Sequence, residues 1–293
     1  RKNGRFILLG SASPDLLRKS SESLAGRIIF LEMHPFHHQE IDNADSKTLW
    51  INGGFPNAFL ARTLKARELW LQQFIQTYIE RDLPALGLPA SPMLIRNLLR
   101  MLANNHGGIV VYNDLANSLN ISINTVKTYI DFLENAYLIR RVEPFFANIN
   151  KRLVKSPKIY IRDSGLLHHL LGLKTYDHLL GHSILGRSWE GFVIQQIIAN
   201  LAADVQAYFY RSKDKSEIDL VLEKYGIIEI ALEIKHGINP NITRGNTLAW
   251  ETLKAKNNVI LTSTTEDYWY KNDVRVCNIE TIWAILKSAD LTN

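Results

Sequence analysis

Apolar and polar positions along this chain change period several times, and each change marks an element. RFILL (5–9) is a short continuous apolar run, the pattern of a buried strand, and it ends in the turn residues GSASPD. A helix is expected from Pro14 to about Ser23, and a second strand from Ala25 to Leu31. From about Asn57 to Leu83 the period becomes helical, with Phe59, Leu60, Leu64, Leu69, Leu71, Phe74, Ile75, Tyr78 and Ile79 on recurring positions. Pro84, Pro89 and Pro92 interrupt it and mark a boundary.

Three helices are expected next, at Met93–Asn104, Tyr112–Leu119 and Ser122–Asn135, with Ser122 or Asn124 as the N-cap of the third. YLIRRVEPF (137–145) then alternates like a strand. From Ser164 the pattern is α/β: a helix, a long helix at 188–202, a strand at 206–211 and a hairpin within 216–237. A helix at 246–256, strands at 258–263 and 274–277, and a last helix at 279–288 complete it. The fold class expected is therefore multidomain, mainly α in its first part and α/β in its last.

Composition narrows the class only slightly. Hydrophobic residues are 46% and charged residues 22% of 293 positions, as in an ordinary globular protein. The net charge of +5 permits nucleic-acid binding without establishing it, because a patch matters more than a total. Cys277 is the single cysteine, which excludes an intramolecular disulfide and a cysteine-rich zinc site. With no apolar run of membrane-spanning length and no signal peptide, a cytoplasmic setting without membrane contact is expected.

GHSILGRS (181–188) comes near the phosphate-binding pattern G-x-x-x-x-G-K-[ST]. Arg187 stands where a lysine should reach the phosphates, and TYDHLL before it reads as a helix end, not a strand. A turn before a helix is the better reading.

VYNDLANSLNISINTVKTYIDFLENAYLIRRV has the layout of a winged helix-turn-helix. Val126, Tyr129, Ile130 and Leu133 would be buried, leaving Thr125, Lys127 and Thr128 outward near the helix start, where base and phosphate contacts are made. Between Ile139 and Asp163 there are seven basic residues against two acidic ones. Lys151, Arg152, Lys155 and Lys158 in this strip are candidate phosphate contacts. A spacer or protein-binding module, with a solvated linker, remains the alternative.

The hairpin SEIDLVLEKYGIIEIALEIKHG carries acids where strand formers are expected. A three-residue loop at Lys224–Gly226 would pair Asp219 with Ala231 and Glu217 with Glu233, and would set the acids on one face. A two-residue loop would shift the register by one and separate them. Carboxylates this close repel unless a cation sits between them, and Mg²⁺ or Mn²⁺ is the cation such oxygens take. Glu217, Asp219 and Glu233 are thus candidate metal ligands and Lys235 a candidate catalytic group acting on water. Glu190 falls on the apolar stripe of the long helix with Ile194, Ile197 and Leu201, so it is expected to point to the sheet and assist; alternatively it caps the first helical turn.

Asp219, then Glu233-Ile234-Lys235, with Glu190 on the preceding helix, resembles the PD-(D/E)xK nuclease core, in the variant similar to archaeal Holliday-junction resolvases. Over nearly its whole length the chain resembles a widespread prokaryotic group of AAA+-type ATPases with an uncharacterised C-terminal domain. RFILLGSASPDLL, LAGRIIFLEMHPF, GGFPNAFL, YIERDLP, KRLVKSPKIYIRDSGLLHHLLG, SWEGFVIQQI and EIDLVLE…LEIK carry that resemblance. It implies an ATPase-core remnant at 1–33, a helical lid at 34–92, a winged helix with its basic strip at 93–162, and a nuclease-like α/β domain at 163–293.

Ser11 and Arg27 would then be nucleotide-sensing residues, and Arg81 and Asp82 would match an Arg-Asp pair of the family. The family's Walker segments precede the position where this chain begins, so ATP belongs to the full-length protein only. The function implied is a DNA-binding, metal-dependent nuclease gated by ATP; the alternative is an ATP-regulated DNA- or protein-binding switch that does not cleave. An open strand edge at 5–9 would invite pairing, so local disorder or a homo-oligomer contact is expected there.

Overall fold

The computed structural model describes residues 29–41, 46–146, 155–212, 216–237, 242–263, 266–270 and 273–292, with the isolated positions 7, 9, 10, 214 and 240. The expected strand at 5–9, the helix at 14–23, Ser11, Arg27, Lys151 and Arg152 fall on residues outside these, apart from positions 7 and 9. Residues 29–31, the end of the second expected strand, are exposed and not in a strand.

The helices of the first part are α1 (Ser46–Asn52), α2 (Pro56–Phe59) and α3 (Leu64–Phe74). α3 continues through a π-helical stretch, Ile75–Asp82, to a last turn at Leu83–Ala85. α4 (Pro92–Asn104), α5 (Tyr112–Leu119) and α6 (Ile123–Asn135) lie where the periodicity expects them. Local chemistry explains the accuracy. Ser91 Oγ caps α4 at Leu94 N, Asn120 takes a left-handed conformation (φ 52°) after α5, and Ser122 Oγ accepts from Thr125 N at 3.1 Å to start α6. One apolar core holds this unit together: Ile79, Leu83, Ile95, Leu98, Leu102, Val126, Ile130 and Leu133 are all buried in it.

Among the described residues nine strands form one sheet in the order β1-β3-β2-β4-β5-β6-β7-β9-β8. They are β1 (Gly108–Ile109), β2 (Ile139–Pro144), β3 (Lys158–Ile161), β4 (Val205–Arg211), β5 (Glu217–Lys224), β6 (Ile227–Ile234), β7 (Asn257–Leu261), β8 (Tyr268–Tyr270) and β9 (Val274–Cys277). β2 and β3 pair antiparallel, Ile139 with Ile161 and Val142 with Lys158. β2 also pairs parallel with β4, Glu143 with Tyr208 and Pro144 with Phe209. Strands from the two sides of the boundary expected near residue 162 therefore share one hydrogen-bonded sheet. β6, β7 and β9 are parallel, and their near-continuous apolar sequences suit strands covered on both faces.

The remaining helices are α7 (Ser164–Leu170), α8 (Tyr176–Leu180), α9 (Leu185–Ile198), α10 (Arg244–Leu253) and α11 (Ile282–Ser288). α9 packs Phe192, Val193, Ile194 and Ile197 on one face of the sheet against Leu220, Leu222, Ile230 and Leu232. α10 covers the other face with Ala249, Trp250 and Leu253, against Ile218, Val221 and Ala231. Leu49 and Trp50 of α1 join the α9-side core. Trp50 Nε1 donates to Ser188 Oγ at 2.9 Å, and that hydroxyl lies 2.7 Å from His168 Nε2, so α1, α7 and α9 meet at one buried polar knot.

α9 starts at Leu185, inside GHSILGRS, so that segment is a helix start and not a phosphate loop. The same start puts Glu190 in the second turn, which removes the reading of Glu190 as a first-turn cap. Gly191 lets α9 approach its neighbours closely: a Cβ there would stand 2.1 Å from His106 Nε2 and 3.0 Å from Tyr160 Cδ1. Among the described residues no helix is long and apolar enough to cross a membrane.

Candidate functional site

The hairpin closes with a two-residue turn, Tyr225 and Gly226, both at positive φ (54° and 81°). The three-residue loop expected from the sequence is not formed. Lys224 pairs with Ile227 and Glu223 with Ile228, a register that by itself would separate the acids. A bulge then intervenes, Leu222 pairs with Ile230, and Glu229 is the extra residue of β6. The pairing continues as Val221 with Ala231 and Leu220 with Leu232, which brings Asp219 alongside Glu233. Asp219 Oδ2 accepts from Ile234 N at 3.0 Å and ties the strands together there.

A second bulge lies between β4 and β5. Tyr208 pairs with Val221, but Tyr210 pairs with Ile218, so β5 carries one residue too many beside Phe209. Ile218 and Val221 consequently both enter the α10-side core, which strict alternation forbids. Glu217 and Asp219 are free to reach the α9 side.

There they meet a cation supplied by the chain itself. Lys158 Nζ of β3 lies 2.9 Å from Glu217 Oε1, 3.0 Å from Glu190 Oε1 and 3.3 Å from Asp219 Oδ1. Tyr160, two residues on and on the same face of β3, donates its hydroxyl to Glu190 Oε1 at 2.6 Å. The Lys158 side chain is 3% exposed and its ammonium sits 5.5 Å from the centre of the Phe209 ring. Lys158 is therefore not on an open phosphate-contacting strip, as the sequence suggested. Its neighbours on β3, Ile159 and Ile161, are drawn into the helical core, and this turns Lys158 and Tyr160 to the acids.

The outer part of the site is simpler. Lys235 Nζ lies 2.5 Å from Glu233 Oε1, and Lys235 N donates to Leu261 O at 2.8 Å, so its backbone is fixed by β7. The other oxygen, Glu233 Oε2, is buried without a hydrogen-bond partner. Glu190, Glu217, Asp219, Glu233 and Lys235 are thus all brought into one site.

Four carboxyl groups here face two ammonium groups, and the titration behaviour reflects the excess. Burial pushes the Glu233 carboxyl up to about 8, reinforced by the Asp219 charge and opposed by Lys235. Burial pushes Glu190 up to about 7, again with Asp219 adding to it, while Lys158 and Tyr160 oppose. Burial works against the charge on Lys158, yet Glu190, Tyr160, Asp219 and Glu217 hold its pKa well above the ordinary lysine range. Burial also works against the Glu217 charge, but Lys158 and Arg211 hold its pKa below the ordinary value.

All donors are oxygens, as hard divalent cations require. As arranged here they do not fit a metal: one oxygen from each of Glu190, Glu217 and Asp219 is already turned to the Lys158 ammonium. Among the described residues no group of three His, Cys, Asp or Glu side chains is disposed to hold a metal ion.

The other candidate contacts lie apart. Lys127 and Thr128 are exposed on α6 and Thr125 is half-buried; Lys127 Nζ sits 5.5 Å over the Tyr112 ring. Lys155 is exposed. Much of the basic strip is internally engaged. Arg140 is half-buried and donates to Gln195 Oε1 at 3.0 Å. Arg141 pairs with Glu134 and lies 2.7 Å from Asp131 Oδ1. Arg162 pairs with Glu32 and lies 3.1 Å from His34 Nδ1. Arg81 and Asp82 pair at 2.8 Å on the exposed side of the π-helical stretch.

Sequence reasoning placed Lys158 and Tyr160 on the basic strip and missed both as members of the site. The available signal was KIYIR, in which polar and apolar residues alternate as on a half-buried strand.

Comparison with known proteins adds the following. Residues 1–42 match a family model described as an AAA domain. Residues 43–177 match a domain of unknown function (DUF8612), and residues 185–282 a second one (DUF4143). An uncharacterised protein of Mycobacterium tuberculosis is 41% identical over 240 residues, covering 82% of this chain and 54% of that relative. A Mycobacterium bovis protein matches to the same extent. An uncharacterised protein of Haemophilus influenzae is 23% identical over 252 residues, covering 79% of this chain and 60% of the relative. The chain thus spans little more than half the length of these curated relatives. No solved structure matches it. The three family matches, taken in order along the chain, support similarity to an AAA-like ATPase family with uncharacterised domains.

Proposed function

We propose that this chain is the DNA-engaging, effector part of an AAA-like ATPase, and that its α/β domain is a nuclease-like module directed at phosphodiesters. The observation that carries the reading is the convergence of Glu190, Asp219, Glu233 and Lys235 from one helix and two strands, with Glu233 Oε2 left buried and unpartnered. A structural salt-bridge network has no need of an orphaned carboxylate oxygen, whereas a site awaiting a ligand does.

In this reading Asp219, Glu233 and Glu217 would be the residues to hold Mg²⁺ or Mn²⁺, although Lys158 pairs with Glu217 and Asp219 in the arrangement described, and Lys235 and Glu190 would act beside them. ATP is bound by the longer protein and gates the module. The exposed Lys127 and Thr128 at the start of α6, with Thr125 and Lys155, form the DNA-contacting surface of a winged helix. The setting is cytoplasmic.

A second reading keeps the DNA- or protein-binding role and drops cleavage. The three ion pairs of Lys158 favour it, because they satisfy the inner acids without any metal.

A nicking assay on branched and linear DNA with Mn²⁺ tests the first reading, run with Asp219→Ala and Lys235→Ala beside the parent chain. Cutting by the parent that both variants lose supports it. Equal cutting by all three, or none by any while DNA is still bound, leaves the binding switch.

A further inference from the structure

We propose that a cavity between β3, α9 and the segment at 32–38 is a binding site for one halide-sized anion, such as chloride, held by the guanidinium groups of Arg162 and Arg140. The site does not depend on how the acidic hairpin is read.

Strand geometry gathers the charge. Arg140 pairs with Tyr160 across β2 and β3, and Arg162 lies two residues beyond Tyr160. Both guanidinium groups are thereby carried to the α9 side of the sheet. Arg162 is 7% exposed. Arg140 donates from Nε to Gln195 Oε1, and Arg162 donates from Nη2 to Glu32.

A carboxylate or phosphate is gripped by two parallel N–H groups of one arginine. Here each of those forks is already half used. Arg140 keeps Nη2 and Arg162 keeps Nε, and both atoms are buried without a hydrogen-bond partner. One free N–H from each of two guanidinium groups suits a single-atom anion better than an oxyanion. Arginine nitrogens only donate, so an occupant that only accepts answers them better than water does.

The charges point the same way. Glu32 answers Arg162, whereas Gln195, the hydrogen-bond partner of Arg140, is neutral. Burial and then the Arg162 charge push Arg140 down to about 10, against the pull of Glu32 and Glu134. Asp163 also lines the cavity, but its carboxylate is taken up by backbone. Its Oδ1 accepts from Leu166 N and its Oδ2 from Gly54 N, both at 2.7 Å. A buried cation without a counter-charge is costly, and a captured anion lowers that cost.

Space agrees with charge. Arg162, Gln195, Gln196 and His37 line a cavity of about 20 Å³. That is room for one particle of water or chloride size, and not for a nucleotide. His37 Nδ1 is also buried without a partner, and it donates in the tautomer that carries the proton there. Glu32 and His37 belong to the residues matched by the AAA domain model, whereas Arg140, Arg162 and Gln195 belong to the sheet and α9. A bound anion would fasten the first to the second.

Urea unfolding of the chain as it exists, in sodium chloride and in sodium gluconate at equal ionic strength, tests the site, because gluconate is too large to enter. A site with a Kd of about 10 mM should raise the folding equilibrium constant about tenfold at about 100 mM chloride. Arg140→Gln, which removes one guanidinium and leaves the Glu32 pair intact, should lose that gain. Equal stability of the parent in the two salts overturns the proposal, and so does a chloride gain that the folded variant keeps. If Arg140→Gln does not fold, bromide soaked into crystals of the parent chain decides. An anomalous peak beside Arg162 Nε and Arg140 Nη2 supports the site, and bromide found only elsewhere, or not at all, overturns it.

Discussion

The acidic site has two corners, each built around a lysine, and they obey different physics. In the inner corner Lys158 is 3% exposed and meets three carboxyl groups. In the outer corner Lys235 is 37% exposed and meets one. A buried ammonium surrounded by acids is part of the fold, because removing it leaves charges that water cannot reach. A half-exposed ammonium on a strand end is held loosely and is free to serve chemistry. One pocket thus contains a structural cation and an available one, and the residue type alone does not distinguish them.

Lys158→Met should separate the corners most sharply. It leaves Glu190, Glu217 and Asp219 without their common partner and should cost about 3–5 kcal/mol in urea unfolding. A loss below about 1 kcal/mol would mean that the inner corner is as well hydrated as the outer one. Gly191 follows Glu190 on α9, and Gly191→Ala attacks the inner corner from behind, since its Cβ would stand 2.1 Å from His106 Nε2 and 3.0 Å from Tyr160 Cδ1. A loss of about 1–3 kcal/mol is expected from this overpacking, together with weaker protection of Lys158 from acetylation. Unchanged stability and protection would show that α9 shifts freely.

The pH dependence joins the two corners. Glu190 and Glu233 have pKa values of about 7 and about 8 in the folded chain, against an ordinary 4.5. The folded chain therefore binds more protons than the unfolded one between those values. The resulting stabilisation is complete below about pH 4.5 and is lost as pH rises toward about 8. The denaturation midpoint should fall between about pH 6 and about pH 8.5, and Glu233→Gln should flatten that fall. A midpoint that rises over this range would contradict the assignment. Lys235→Ala should have the smallest effect on stability, below about 1 kcal/mol, while abolishing any Mn²⁺-dependent nicking. A loss as large as that of Lys158→Met would erase the distinction between the corners.

The site was partly legible in the sequence, and the reasons differ by residue. Glu233 and Lys235 are two apart on a strand, so their common side follows from strand geometry alone. The helices α5 and α6 were legible because caps and turns are local chemistry. The hairpin register was not. The two-residue turn and the bulge at Glu229 each shift the pairing by one, and only their combination returns Asp219 to Glu233. A bulge is chosen by the packing on both faces, which a short window of sequence does not contain. Lys158 was hidden for a related reason: its partners lie 32 to 61 positions away, and a run of basic residues resembles a surface strip until the sheet is assembled. β8 and β1, of three and two residues, are too short to establish a period.

The pairing of β2 with β4 has a practical consequence for anyone dividing the chain. A cut at the apparent seam after residue 162 would remove β2 and β3 from the sheet, exposing the edge of β4 to pairing with other molecules. The excised piece would also lose Lys158 and Tyr160, so it would carry its acids bare. A trimmed fragment that takes up metal or aggregates would then report on the cut and not on the intact protein.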